Sequence, residues 1–503
     1  MSDGQADIVS VPASGAALRE MMRLSLPVVA TMVSYTLMQF VDKYYVSQLG
    51  AEELAAAGNG GVAAFLPVAV MMGMLGVVNT YVSQNLGAGT PRRAPAYAWN
   101  ALWLCLIVWA AVLLPYAALL PRAMSGMRSA LGLEQVGPSV AELEAVYAQI
   151  LLGGMILTLG ARGLAQFFFG LHRPSVVFIA ATAGNGVNWY LTWALVFGKH
   201  GFPAWGVAGS AVATVIGTAV ELAIPLALFL SARYQAQFGT RDGWRLSGRH
   251  IRDILRIGWP GGLMFGNEMI CWWVFMAGLV AAFGAEHNAA SWITLQYMHL
   301  SFMPAFGMSH AVTAIVGRCI GMGRPDLAQQ RAYLGLRVTM LYMGLCAAAF
   351  VLLRGQLVEV FVHSPRYAAE QRDLIIQIGG RLLILAAVFQ VFDAVGITMI
   401  GALRGAGDTV WPGVVTAVLA WTVILGLGKA LTVVAPEWGS AGPWAAAAAY
   451  IILLGLLLLW RFAGGHWKRI QLVKPQSGIA AGTLTEPADG IVADAEALAT
   501  REL

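Results

Sequence analysis

Charge is what this chain has least of. Asp, Glu, Lys and Arg make up 11% of its 503 residues, where an ordinary soluble domain has about 25%. With 58% hydrophobic residues and a mean hydropathy of +0.68, that scarcity excludes a soluble globule. Cysteine is nearly absent: Cys105, Cys271, Cys319 and Cys346 fall within or at the ends of apolar runs. No paired ligand spacing links them, so neither a disulfide framework nor a metal site is expected. Basic clusters with interleaved aromatics are missing, which argues against nucleic acid. The glycine-rich turns NLGAG (85–89) and LRGAGD (403–408) lack the Lys-Ser/Thr ending that would hold a nucleotide phosphate. No His/Asp or Cys/His constellation on a loop equips the chain as a membrane-bound transferase, so it does not read as an enzyme. The first twenty residues have no basic segment followed by an apolar core, so no signal peptide is expected there.

What is present is a succession of long apolar runs. Windows long enough to cross a hydrocarbon core fall near residues 24–46, 54–82, 97–120, 146–170, 175–198 and 206–231, then 254–283, 288–316, 331–353, 374–401, 410–434 and 442–462. This pattern predicts an all-α, polytopic membrane protein with twelve transmembrane helices. Alternate connections carry most of the arginines, among them Arg92, Arg93, Arg173, Arg241, Arg245, Arg249, Arg318 and Arg324. By the positive-inside rule that side, and with it both termini, is cytoplasmic. The expected organisation is a short segment 1–18, a bundle 19–232, a basic linker 233–253, a second bundle 254–462, and a mostly disordered tail 463–503.

The two bundles are copies of one unit. A shift of 234 positions lays LGAEELAA (49–56) on FGAEHNAA (283–290) and NLGAGTPRRA (85–94) on CIGMGRPDLA (319–328). One constant offset over that length marks a duplication. An even number of helices per copy gives both the same orientation, an arrangement whose binding site lies between the copies near the midplane.

Among the carboxylates inside the runs three stand out: Asp42 in FVDKYY, Glu268 in FGNEMICWW and Asp393 in FQVFDAV. A charge at the bilayer centre costs roughly 2.5 to 17 kcal/mol, depending on how the cost is assessed, so such groups are retained for use. Holding a proton and holding a cationic ligand exclude one another at a single carboxylate. That exclusion is itself a coupling mechanism.

These segments, together with LSLPVV, WPGGLMFGNE, GMGRPDLAQQRA and GALRGAGDTVWP, resemble the multidrug and toxic compound extrusion (MATE) family of secondary transporters, and within it the NorM-like branch. The resemblance covers roughly residues 18 to 462. It implies two pseudo-twofold-related six-helix bundles in a V that export organic cations in exchange for protons or sodium, in a bacterial inner membrane. It also implies that Pro27 lets the first helix bend, that Asp42, Glu268 and Asp393 serve coupling, and that Asn188, Thr192 and Thr214 form a polar cluster with Asp42. Thr192 stands where other branches have an aspartate. Sodium wants several oxygen ligands, and Phe389, one turn before Asp393, offers none, so protons are the expected coupling ion and sodium the alternative.

Tyr35, Gln39, Trp272, Gln296, Tyr297, Met298 and Met303 are candidates for a substrate cavity, since aromatic faces suit flat cations and methionine adapts to different shapes. No cofactor is expected, and the chain reads as a monomer in the lipid bilayer. A flippase for lipid-linked intermediates is the alternative, disfavoured because the interior charges singled out are all acidic.

Overall fold

The computed structural model describes residues 14–130, 138–362 and 369–473 of the chain. The segment 1–13 and the part of the expected tail beyond residue 473 lie outside the described residues. Twelve long helices follow one another: α1 (Ser14–Ser47), α2 (Ala51–Gly87), α3 (Pro91–Arg122), α4 (Pro138–Gly170), α5 (Pro174–Phe197), α6 (Gly206–Phe229), α7 (Gly248–Phe283), α8 (Ala285–Gly321), α9 (Pro325–Leu352), α10 (Ala369–Ala406), α11 (Val410–Val434) and α12 (Ala441–Ala463). Among the described residues eleven are long and apolar enough to cross a membrane. The remaining one, α5, has the length but is diluted by Thr182, Asn185, Asn188 and Thr192. Asn185, Asn188 and Thr192 take part in the site described below.

The duplication is visible in the backbone. Helices α2 and α8 are each 37 residues long and begin and end at the same offset. Each is followed by a glycine in the left-handed region, Gly89 at φ 71° and Gly323 at φ 69°, and then by a proline opening the next helix. Only glycine takes that φ without a Cβ penalty, and proline at the first helical position surrenders an N–H that has no partner there anyway.

Two large apolar cores result, one per half, beside a small third cluster of Ala305, Met343, Ala394 and Ile397. Their membership shows that α1 and α7 cross over: Met21 and Leu24 of α1 belong to the C-terminal core, and Ile254 of α7 to the N-terminal one. Further along, α1 is bound to α5 and α6, while α7 reaches Trp444 of α12 through Phe275, ring centroids 5.7 Å apart.

The halves meet tightly at one end only. Residues 74–85 of α2 and 307–317 of α8 are continuously buried, whereas the first turns of both helices are largely accessible. A Cβ on Gly87 would stand 2.0 Å from the Arg318 carbonyl oxygen, and one on Gly321 would stand 2.1 Å from that of Gln84. These are the same contact seen from the two copies, so the pseudo-twofold axis passes through this crossing. Glu20 of α1 adds ion pairs to Arg318 and Arg331 at 3.5 and 3.4 Å. The closed end is the one bearing the basic connections. The chain after α12 lies across it, with Trp467 fully buried on Phe462 and Leu472 and Val473 against the N-terminal core.

Candidate functional site

In the N-terminal half the far part of α1 is tied to α5 and α6 by polar side chains. Asp42 accepts hydrogen bonds from the Thr192 hydroxyl at 3.0 Å and from the Thr214 hydroxyl at 3.5 Å. Asn188 is within hydrogen-bonding reach of Asp42 and donates to Thr214 at 3.3 Å. Two turns earlier on α1, Ser34 accepts from Asn185 at 2.6 Å. The four residues expected to cluster do so, because positions 188 and 192 are one helical turn apart and face α1 together. The side-chain carbonyl oxygen of Asn188 remains without a partner among the described residues, while the Ser210 hydroxyl is within hydrogen-bonding reach of Tyr147. The cluster therefore has unspent acceptor capacity next to a carboxylate, and no group of three or more metal-type ligands accompanies it among the described residues.

In the C-terminal half Glu268 of α7 and Asp393 of α10 lie within electrostatic reach of each other, with Trp272 hydrogen-bonding Glu268 and Tyr450 of α12 within reach of both acids. Tyr450 was not expected: a lone tyrosine in an alanine- and leucine-rich run gives no periodic signal. Gly455 makes the approach possible, since a Cβ there would meet the Phe392 carbonyl oxygen at 2.6 Å. Both acids are half-buried and face helices of their own bundle.

The cavity candidates divide. Tyr35 is buried against Arg162 and Glu221. Gln39 and Gln296 are exposed, and Trp272 packs edge-on against Phe275. Met303 reaches from α8 to the N-terminal core and so sits between the halves. Met298 and Tyr297 turn into the C-terminal bundle, where the Tyr297 hydroxyl donates to the Leu357 carbonyl at 2.9 Å and its ring meets Phe361. Pro27 leaves its carbonyl to the Thr31 hydroxyl, 2.7 Å away. The expectation that the interior charges are all acidic needs correcting: Arg162, beside Glu221, and Arg404, against Gly76, lie inside the molecule as well.

The MatE family model matches residues 27–194 and again 264–427, one match in each half and together well over half of the chain. The chain belongs to the MatE family of membrane transporters. A probable multidrug resistance protein NorM of Deinococcus radiodurans is 32% identical over 451 residues, which is 89% of this chain and 95% of that protein. The multidrug resistance protein NorM of Burkholderia vietnamiensis is 29% identical, covering 90% of this chain and 94% of that one. Among solved structures, a MATE transporter in complex with MaL6 superposes with a TM-score of 0.80 over 90% of this chain and 98% of that one, at 21% identity. An outward-facing MATE family transporter of the MOP superfamily superposes at 0.79, over 90% and 97%, at 21% identity. At that identity the likeness speaks for the MATE fold. The family is one of transporters and not of enzymes, and this member is a multi-pass membrane protein of NorM-like kind.

Proposed function

We propose that this protein is a secondary antiporter that exports drug-like organic cations from a bacterium in exchange for protons, by alternating access across the plasma membrane with both termini in the cytoplasm. NorM relatives named for multidrug resistance support drug-like cargo and a plasma-membrane location. The observation that carries the reading is the pairing of two related halves, closed at the basic end and apart at the other, with carboxylates facing inward in each. In that state Asp42 and the Glu268–Asp393 pair receive protons from the outer side and surrender bound cations there. When the halves rock to open the basic end, the protons leave to the cytoplasm and the carboxylates again attract cations. One proton therefore replaces one positive charge at each carboxylate that turns over.

Proton coupling is favoured over sodium because the N-terminal cluster offers one carboxylate and Phe389, four residues before Asp393, offers no oxygen. The test is ethidium transport in proteoliposomes with an imposed gradient of either ion alone. A pH gradient without sodium is expected to drive transport, and Asp42→Asn, Glu268→Gln and Asp393→Asn to abolish it. Transport that needs a sodium gradient and ignores the pH gradient would overturn the coupling assignment.

A further inference from the structure

Arg162 projects from the last third of α4, with its guanidinium 3.9 Å from the centroid of the Tyr35 ring. Its nearest carboxylate oxygen, on Glu221 of α6, stands at 3.9 Å. That distance gives charge attraction without a hydrogen bond. Glu221 instead accepts from the Tyr35 hydroxyl. The guanidinium of Arg162 is thus held in place by stacking, by a hydrogen bond to Tyr35 and by charge, while its side chain remains 28% accessible deep inside the molecule.

The surroundings are cationic on balance. Arg404 of α10 lies on the other side of the interface, and its neighbour Asp408 is taken by Arg461 at 2.9 Å. His310 of α8 is within the field of both Arg162 and Arg404, and its Nδ1 has no partner among the described residues. Among the described residues Glu221 is the acid paired with Arg162, so with Arg404 the two arginines leave an excess of one positive charge. Tyr35 and Asp42 are seven residues apart on one face of α1, so the guanidinium lies roughly 10 Å deeper than the carboxylate cluster.

We propose that Arg162 is an anion-holding subsite that takes a carboxylate borne by the cargo while Asp42 takes its amine. The guanidinium fork matches a carboxylate with two parallel hydrogen bonds, and Tyr35 beneath it fixes the fork's plane. Cargo bearing an acid and a base on the order of 10 Å apart is then held at both ends, and esterifying the acid removes one of them. The inference rests on the antiport reading only in taking the cleft as the cargo site.

The test is a pair of dyes that differ in this one group: rhodamine 110, with a free carboxylate, and rhodamine 123, its methyl ester. Their dissociation constants are measured by fluorescence anisotropy on the purified full chain in detergent, with no ion gradient. The wild type is expected to prefer the acid. Arg162→Met should weaken acid binding about tenfold and change ester binding less than twofold, a ratio that a merely structural role would not alter. Should Arg162→Met fail to fold, Arg162→Lys is read by the same ratio, which should fall because an ammonium lacks the fork. Equal losses for both dyes, or an unchanged ratio in the variant that folds, would overturn the subsite. Failure of the antiport reading shows separately, as dyes that bind but do not move in vesicles.

Discussion

At the scale of single residues, the Asp42 cluster makes a sharp claim about Thr192. Its hydroxyl donates to the carboxylate, and a hydrogen bond to a charged group is worth about 1.5 to 3 kcal/mol. Thr192→Val should therefore weaken binding of tetraphenylphosphonium about tenfold at neutral pH in calorimetry, while Thr192→Ser keeps it. Equal affinity in the valine variant would mean that the hydroxyl does not prepare the carboxylate for cargo. A second residue-scale prediction concerns His172, which lies in the turn between α4 and α5, outside the membrane-spanning segments. Burial, reinforced by the Arg318 guanidinium, lowers its imidazole to about 4, while the hydrogen bond from its Nε2 to the Ala314 carbonyl at 3.1 Å acts the other way. Because the folded value is depressed, its neutral form contributes stability that is intact above the unfolded value near 6.5 and is lost as pH falls through about 4. The contact joins the two halves, so acid should loosen the closed end. His172 has φ 59°, a conformation asparagine tolerates. His172→Asn should thus fold and flatten the fall in melting temperature between pH 6.5 and 4; an unaltered pH profile would remove His172 as the cause.

At the scale of elements, the α2–α8 crossing is built on contacts that have no room for a side chain. Gly87→Ala or Gly321→Ala must push Arg318 or Gln84 backbone away, and overpacking of this kind costs about 1 to 3 kcal/mol. A lowered melting temperature is expected for either. Gly58→Ala and Gly153→Ala, where a Cβ meets nothing within 4 Å, serve as controls that should leave it unchanged. The two interface variants share one contact region and should not be additive. A melting temperature as insensitive at Gly87 as at Gly58 would contradict the close approach. This crossing was partly legible beforehand, since the glycines at 87 and 321 occupy equivalent places in the repeat. Their purpose was not: a tight turn accounts for Gly89 and Gly323, whereas Gly87 and Gly321 are needed for a contact between copies that no local pattern encodes. The crossing of α1 and α7 between the halves was equally hidden, because apolar runs show that a helix is buried without showing in which core.

At the scale of the whole molecule, the all-helical, polytopic fold and its division into two related sets were legible, while of the acids inside it Asp42, Glu268 and Asp393 were singled out and Glu221 was missed. Long apolar runs and a constant offset report on the fold directly. The charge balance of the interior was read less fully. Arg162 and Glu221 interrupt apolar runs just as Asp42 and Asp393 do, but a long arginine side chain can often reach the interface. Only the fold shows that this one is fixed at mid-depth by Tyr35. Tyr450 had no signal at all, since its role comes from α12 lying beside α7 and α10.

The account as a whole stands on protons and cationic cargo competing for the same inward-facing carboxylates. The most direct measurement is proton release when tetraphenylphosphonium is added to the purified protein in weakly buffered detergent solution. The wild type is expected to release protons in step with binding, and a variant combining Asp42→Asn, Glu268→Gln and Asp393→Asn to release none. Cargo that binds the wild type without releasing protons, or a triple amide variant that releases as many, would contradict it.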